Sequence, residues 1–180
     1  MLRRFVLPLA LLGVLSLSSC NTDVSQDDDD DPDITVVRAG LSALYAGDHA
    51  TASTVAEGDC FADALLDRLT PEELVTVGVV GDSGDVVAAL PMLDVPTAEI
   101  WVDAQFECTD FIEASTRALL AQSKGKLAQD IYGECLRDAL TEDELRAALV
   151  QTLSGGFESP EVTALSEAQA TCAKAALPAD

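Results

Sequence analysis

The sequence contains few basic residues: 10 Lys and Arg stand against 32 Asp and Glu, which gives the 180-residue chain a formal net charge of -22. Nucleic acids and anionic lipid surfaces are bound mainly through Lys and Arg, because these cations displace the counterions of phosphate groups. The composition therefore excludes nucleic acid as an expected partner, and it predicts no basic membrane-binding face.

The chain also lacks an apolar run long enough to cross a bilayer, which takes roughly 18 residues. Aromatic residues make up only 4% of it, although hydrophobic residues of all kinds make up 48%. That hydrophobic fraction is too high for a wholly disordered acidic chain. A composition rich in Ala and poor in aromatics is typical of closely packed helices, so we expect an all-α body.

Residue types that support catalysis or metal binding are scarce. His49 is the only histidine, and a Ser-His-Asp or Cys-His site would depend on it. No Gly-x-Ser-x-Gly motif, Cys-x-x-Cys pair or Gly-rich phosphate loop accompanies it. We therefore interpret His49 as a solvated turn residue, and we expect no cofactor, no metal site and no enzymatic activity. A carboxylate-based hydrolase is the less favoured alternative.

The first residues have the pattern of an export signal. Arg3 and Arg4 precede an apolar stretch from Phe5 to Leu17, which is too short for a bilayer span. The sequence Leu17–Cys20 resembles a bacterial lipobox, in which small residues precede a lipidated Cys. The resemblance implies that residues 1–19 are a lipoprotein signal peptide and that Cys20 carries the lipid, including acyl chains such as palmitate. It implies a protein anchored on the outer face of the cell membrane.

Residues 20–35 have the composition of a disordered tether, with five consecutive Asp at Asp27–Asp31 followed by Pro32. Such a run of like charges repels itself and holds the chain extended, as a spacer would. A weak interaction with Ca²⁺ or a wall polymer is the alternative, since Ca²⁺ favours oxygen ligands. No EF-hand spacing supports that alternative.

Four cysteines remain once Cys20 is assigned to lipid, and an even number in an exported protein indicates disulfides. They are Cys60, Cys108, Cys135 and Cys172. Four cysteines allow three pairings, and their spacing alone does not decide among them.

An internal repeat favours one pairing. Aligning Cys60 with Cys135 brings similar blocks together in the same order; the pairs are Gly58–Cys60 with Gly133–Cys135, Thr70–Leu74 with Thr141–Leu145, and Ala104–Cys108 with Ala168–Cys172. We interpret this as a duplication, with helical unit 1 at residues 36–112 and helical unit 2 at 113–180. Each unit then has one early and one late Cys. The prediction is Cys60 with Cys108 and Cys135 with Cys172.

Local signals mark several helix ends. Thr70 and Thr141 each precede a Glu by three residues, which is the pattern of a capping box. Residues 75–95 are ambiguous: they fit a β-hairpin, but the repeat favours a helix from Pro71 to about Val77 followed by a loop through Pro96. Residues 97–122 fit one long helix, or two helices with a break near Thr109. Trp101 is predicted to pack in the core, with a ligand-stacking role as the alternative.

The body also resembles the small, Ala- and Asp-rich, Cys-paired helical lipoproteins of high-GC Gram-positive bacteria. The resemblance lies in the Gly-x-Cys, Thr-Pro-Glu-Glu-Leu and Ala-Gln-x-x-Cys blocks. It implies the compartment and the fold class, and no activity.

The expected function is that of a non-enzymatic envelope protein, which binds another envelope protein or a ligand where its two units meet. The alternative is an accessory lipoprotein that binds a small ligand or substrate. An apolar cleft between the units would favour a small ligand, whereas a flat apolar patch would favour a protein partner.

Overall fold

The computed structural model describes residues 32–48 and 50–178. The predictions for the signal peptide, Cys20, the Asp27–Asp31 run and His49 lie outside the described residues. Within them the all-α prediction is confirmed, since they form eight helices and no strand. In chain order these are α1 (Ile34–Ala46), α2 (Ala52–Leu66), α3 (Pro71–Thr76), α4 (Val95–Cys108), α5 (Phe111–Gln122), α6 (Gln129–Ala139), α7 (Glu142–Leu153) and α8 (Pro160–Ala176).

Side-chain caps set where most helices begin. Both predicted capping boxes are present, at Thr70 before α3 and at Thr141 before α7. Helix α1 begins inside the segment predicted to be tether, which was expected to extend to residue 35. The reason is Asp33, whose carboxylate accepts a hydrogen bond of 2.8 Å from the Thr35 amide and so caps the helix.

The ambiguous region between α3 and α4 is a loop with one tight turn. A single antiparallel bridge joins Val80 to Val86, and the Gly81 amide donates to the Asp85 carbonyl at 2.8 Å. The β-hairpin alternative is therefore wrong beyond that bridge. The loop ends at Asp94 instead of Pro96, because Asp94 caps α4 through the Thr97 amide at 2.8 Å.

The segment 97–122 is two helices, and the break lies at Thr109 and Asp110 as the second alternative predicted. Asp110 accepts a hydrogen bond of 2.9 Å from the Glu113 amide and caps α5. The predicted boundary after residue 112 thus falls just inside α5, and the natural division between the halves is at this break.

The disulfides have the predicted pairing. Cys60 of α2 is bonded to Cys108 of α4, and Cys135 of α6 to Cys172 of α8, with Cα separations of 5.7 and 5.5 Å. In each half the bond therefore joins the second helix to the fourth. This shared order is what a duplicated unit would produce, and the duplication itself stays a prediction.

Each half has its own cluster of buried side chains. The first runs from Val37 to Ala104 and includes Phe61 and Trp101; the second runs from Ile112 to Ala176. Helix α7 connects them, because it packs against α4 as well as α8. Its Val150 and Leu153 side chains pack on the first cluster, although α7 belongs to the second half by sequence.

Candidate functional site

An apolar cleft of about 690 Å³ lies where the two halves meet. Helices α1, α2 and α4 of the first half form one side, while α5 and α7 of the second half form the other. The lining also includes Leu90 from the long loop and Thr109 from the break between α4 and α5. This volume is within the range of about 300–1,000 Å³ that is usual for small-molecule sites.

Aromatic side chains are concentrated in this cleft, although they are rare in the chain. Four of them line it: Tyr45, Trp101, Phe106 and Phe111. Tyr45 and Trp101 are fixed by Phe61, which stacks on the Tyr45 ring and meets the Trp101 ring edge-on, each at 4.9 Å between centroids. Since Phe61 is fully buried, the core of the first half holds these two rings in place.

One polar contact ties α1 to the break between α4 and α5. The Tyr45 hydroxyl is hydrogen-bonded to the Thr109 hydroxyl. Burial raises the pKa of the Tyr45 phenol above its ordinary value, and the nearby Glu57 charge acts in the same direction, while Thr109 and Arg117 oppose them. The phenol is therefore protonated at neutral pH and can donate or accept a hydrogen bond.

An ion pair crosses the cleft between the halves. The Arg117 Nη2 group of α5 donates to both carboxylate oxygens of Glu57 on α2, at 2.8 and 2.9 Å. The Glu57 side chain is only 17% exposed, and its Oε1 also accepts from the Ser53 hydroxyl at 3.1 Å. Because Nη2 serves Glu57, the other N–H groups of Arg117 remain able to donate elsewhere.

Charges within the cleft therefore compensate each other. Glu57 and Arg117 are the charged residues among its described lining, and they are paired. The two converging carboxylates that a hydrolase would need are not found among these lining residues. The described residues also contain no group of three or more His, Cys, Asp or Glu side chains placed to hold a metal ion.

A second hollow of about 540 Å³ shares Phe106, Thr109 and Phe111 with the cleft. Its lining is more charged and includes Glu107, Asp110, Glu142 and Arg137. It is lined by only two aromatic residues, and its three acidic residues outnumber its one basic residue.

Of the residues singled out from sequence, Trp101 packs in the core as predicted, and its ligand-stacking alternative stays a prediction. It is 4% exposed and packs on Phe61, as expected for the core, yet its remaining surface faces the cleft. Cys108 directly precedes Thr109, so the first disulfide fixes the end of α4 beside the cleft. Cys172 is fully buried in the second cluster and lies away from the cleft lining.

Sequence reasoning missed the other cleft residues, and the repeat contained a signal for only some of them. The alignment places Leu120 opposite Tyr45, Leu165 opposite Trp101, and Tyr132 opposite Glu57. Other lining residues match their counterparts, as Leu44 matches Leu119, so departures from the repeat mark only part of the cleft.

Comparisons with known proteins give no relative: no family model, no curated protein and no solved structure matches this chain. Among the described residues, no helix has the length and apolar character needed to cross a membrane. The cleft is therefore interpreted from its own chemistry.

Proposed function

We propose that this protein is an extracytoplasmic, lipid-anchored binding protein that holds a small, mainly apolar ligand in the cleft between its halves. The observation that carries the proposal is the cleft itself, with four aromatic rings around a volume of about 690 Å³. Pockets of this size, lined by apolar side chains and a few polar groups, are typical of small-molecule sites. Binding without chemical conversion is the simplest role for such a cleft.

Exposed apolar side chains give less support for a protein partner. The large ones among the described residues are divided among several segments with no more than two in each, and scattered exposed apolar residues are ordinary. They are Ile34, Val36, Val55, Met92, Val95, Ile131 and Phe157. A protein partner stays a prediction from the sequence, while the cleft supports the small-ligand alternative.

The anchoring part of the proposal rests on the lipobox resemblance at Leu17–Cys20. A diacylated or triacylated Cys20 would keep the body close to the membrane surface, where apolar molecules partition. A Cys20→Ser variant is expected to retain its signal peptide and to lack the diacylglycerol mass. Cleavage of the unmodified chain at a position other than before Cys20 would contradict this part of the proposal.

Ligand binding is tested with N-phenyl-1-naphthylamine, an uncharged aromatic probe whose emission rises in apolar surroundings. We expect the full chain to bind it saturably. An Ala118→Trp variant, in which the new ring occupies the cleft, should lose that binding. The matched control is Ala170→Trp, because Ala170 is an exposed helical Ala outside the cleft lining.

The outcomes separate cleft binding from adsorption elsewhere. Loss of probe binding in Ala118→Trp, with binding kept in Ala170→Trp, supports the proposal. Equal binding by both variants and the unchanged protein, or no binding at all, would overturn it.

A further inference from the structure

We infer that the cleft selects uncharged ligands that carry a hydroxyl or carbonyl oxygen on an apolar body, and that the Glu57–Arg117 pair enforces this selection. The inference rests on the proposed function and names the ligand class of the same site. It depends on where charge and hydrogen-bonding groups lie in the cleft.

The apolar side chains that line the cleft indicate that the body of the ligand is apolar. Tyr45, Phe106 and Phe111 are half-buried and offer ring surfaces, while Trp101 behind them is almost fully buried. Leu149 and Leu153 of α7 add aliphatic surface. A ligand that covers these side chains removes apolar area from water, which is the main favourable contribution to its binding.

The polar groups that line the cleft indicate that the ligand carries an oxygen atom. The Tyr45 and Thr109 hydroxyls face the cleft as a hydrogen-bonded pair, and Gln105 lines it on the same helix as Trp101. Arg117 has N–H donors on Nε and Nη1, beyond the Nη2 group that serves Glu57. A ligand hydroxyl or carbonyl can accept from these donors, so that its oxygen is not buried without a partner.

Exclusion of charge follows from the ion pair. An anionic ligand drawn to Arg117 meets the Glu57 carboxylate within 2.9 Å of the same guanidinium nitrogen. It also enters a protein whose formal net charge is -22. A cationic ligand would have to compete with Arg117 for a carboxylate that already accepts from Arg117 and Ser53. An uncharged ligand meets neither cost, because it leaves the pair intact.

A pair of matched probes tests the exclusion of charged ligands in the full chain. N-phenyl-1-naphthylamine is uncharged, and 8-anilino-1-naphthalenesulfonate has the same ring skeleton with one sulfonate. We expect the unchanged protein to bind the sulfonate probe at least about tenfold more weakly at low salt, given the strength of charge interactions at this range. Binding that persists in Ala118→Trp is subtracted as binding outside the cleft.

The Glu57→Gln variant then tests the role of the pair. It keeps the side-chain size and an oxygen that can accept from Arg117, but it leaves the guanidinium charge uncompensated. We expect the affinity for the sulfonate probe, relative to that for the uncharged probe, to rise about tenfold. Glu113→Gln is the matched control, because it removes one negative charge from an exposed position on α5 outside the cleft. In Glu113→Gln the ratio of the affinities for the two probes should equal that of the unchanged protein.

The failures are distinguishable. If the unchanged protein binds both probes equally and Ala118→Trp abolishes both, the ligand site stands and the selection for uncharged ligands is overturned. If Glu57→Gln leaves the ratio unchanged, or if Glu113→Gln changes it as much, the role of the ion pair is overturned. If neither probe binds in the cleft, the proposed function itself fails.

Discussion

The two halves share one order of four helices but differ in their third helix. Helix α3 ends after Thr76 and is followed by a long loop, because Gly78 adopts a φ of 77° that continues no helix. Its counterpart α7 runs from Glu142 to Leu153 and contacts α4 of the first half. The second half thus supplies a helix wall to the first. This asymmetry joins the halves and leaves the cleft between them.

The same comparison separates positions that are similar in the two halves from positions that differ. Positions that serve each half alone are similar in both, as with the capping boxes at Thr70 and Thr141 and the disulfides. Several positions that line the cleft differ, as with Tyr45 and its counterpart Leu120. Substitutions at equivalent positions therefore test the comparison directly.

The buried cores should give the largest effects. Phe61 and its counterpart Leu136 are both essentially unexposed. We expect Phe61→Ala to lower the free energy of unfolding by about 3–5 kcal/mol and Leu136→Ala by about 2–5 kcal/mol, because both leave cavities. Denaturant unfolding measures both. Phe157→Ala, at a side chain 65% exposed, is the control and should cost less than about 0.5 kcal/mol.

Removal of either disulfide should give the next largest loss of stability. Their closed loops span 48 and 37 residues, so chain entropy makes the two bonds differ by only about 0.2 kcal/mol. Each double Cys→Ala variant should lose about 2–4 kcal/mol in denaturant unfolding. We expect the greater loss for Cys135 with Cys172, because Cys172 is fully buried whereas Cys60 is exposed. A greater loss for Cys60 with Cys108 would show that burial does not decide the order.

Two equivalent glycines should give effects of opposite sign. A Cβ on Gly58 would lie 2.6 Å from the Ser42 carbonyl oxygen, so Gly58→Ala should destabilise by about 1–3 kcal/mol. A Cβ on Gly133 would have its nearest neighbour 3.4 Å away, at the movable end of Arg137. Gly133→Ala should therefore stabilise α6 by about 0.5–1 kcal/mol. Thermal unfolding of both variants decides: stabilisation by Gly58→Ala would contradict the close approach of α1 and α2, and destabilisation by Gly133→Ala would contradict the space beside α6.

The smallest expected effect concerns the α7 capping box. The Thr141 amide donates to Glu144 at 2.8 Å and lowers the pKa of that carboxyl below its ordinary value. The ionised Glu144 therefore stabilises the fold above the ordinary pKa of a glutamate, and this contribution is lost as the pH falls through the lowered pKa. Glu144→Gln should reduce the Tm slightly at neutral pH, and the difference should shrink in acid. A difference that grows in acid would contradict this sign.

Features governed by short stretches of sequence were predictable. The capping boxes depend on residues three positions apart, and the repeat was enough to pair Cys60 with Cys108 and Cys135 with Cys172. The start of α1 was missed because Asp33, read as part of an acidic tether, acts as a cap. The cleft was not predictable in detail. It requires Glu57 to meet Arg117, and that contact depends on how α2 and α5 pack across the two halves.

The central claim, that the cleft between the halves binds an apolar ligand, is tested most directly by energy transfer from Trp101. This residue is the only Trp of the chain, and it lines the cleft. If N-phenyl-1-naphthylamine binds there, Trp101 emission should be quenched saturably, with the same midpoint as the rise in probe emission. A rise in probe emission that leaves Trp101 emission unchanged would contradict the account.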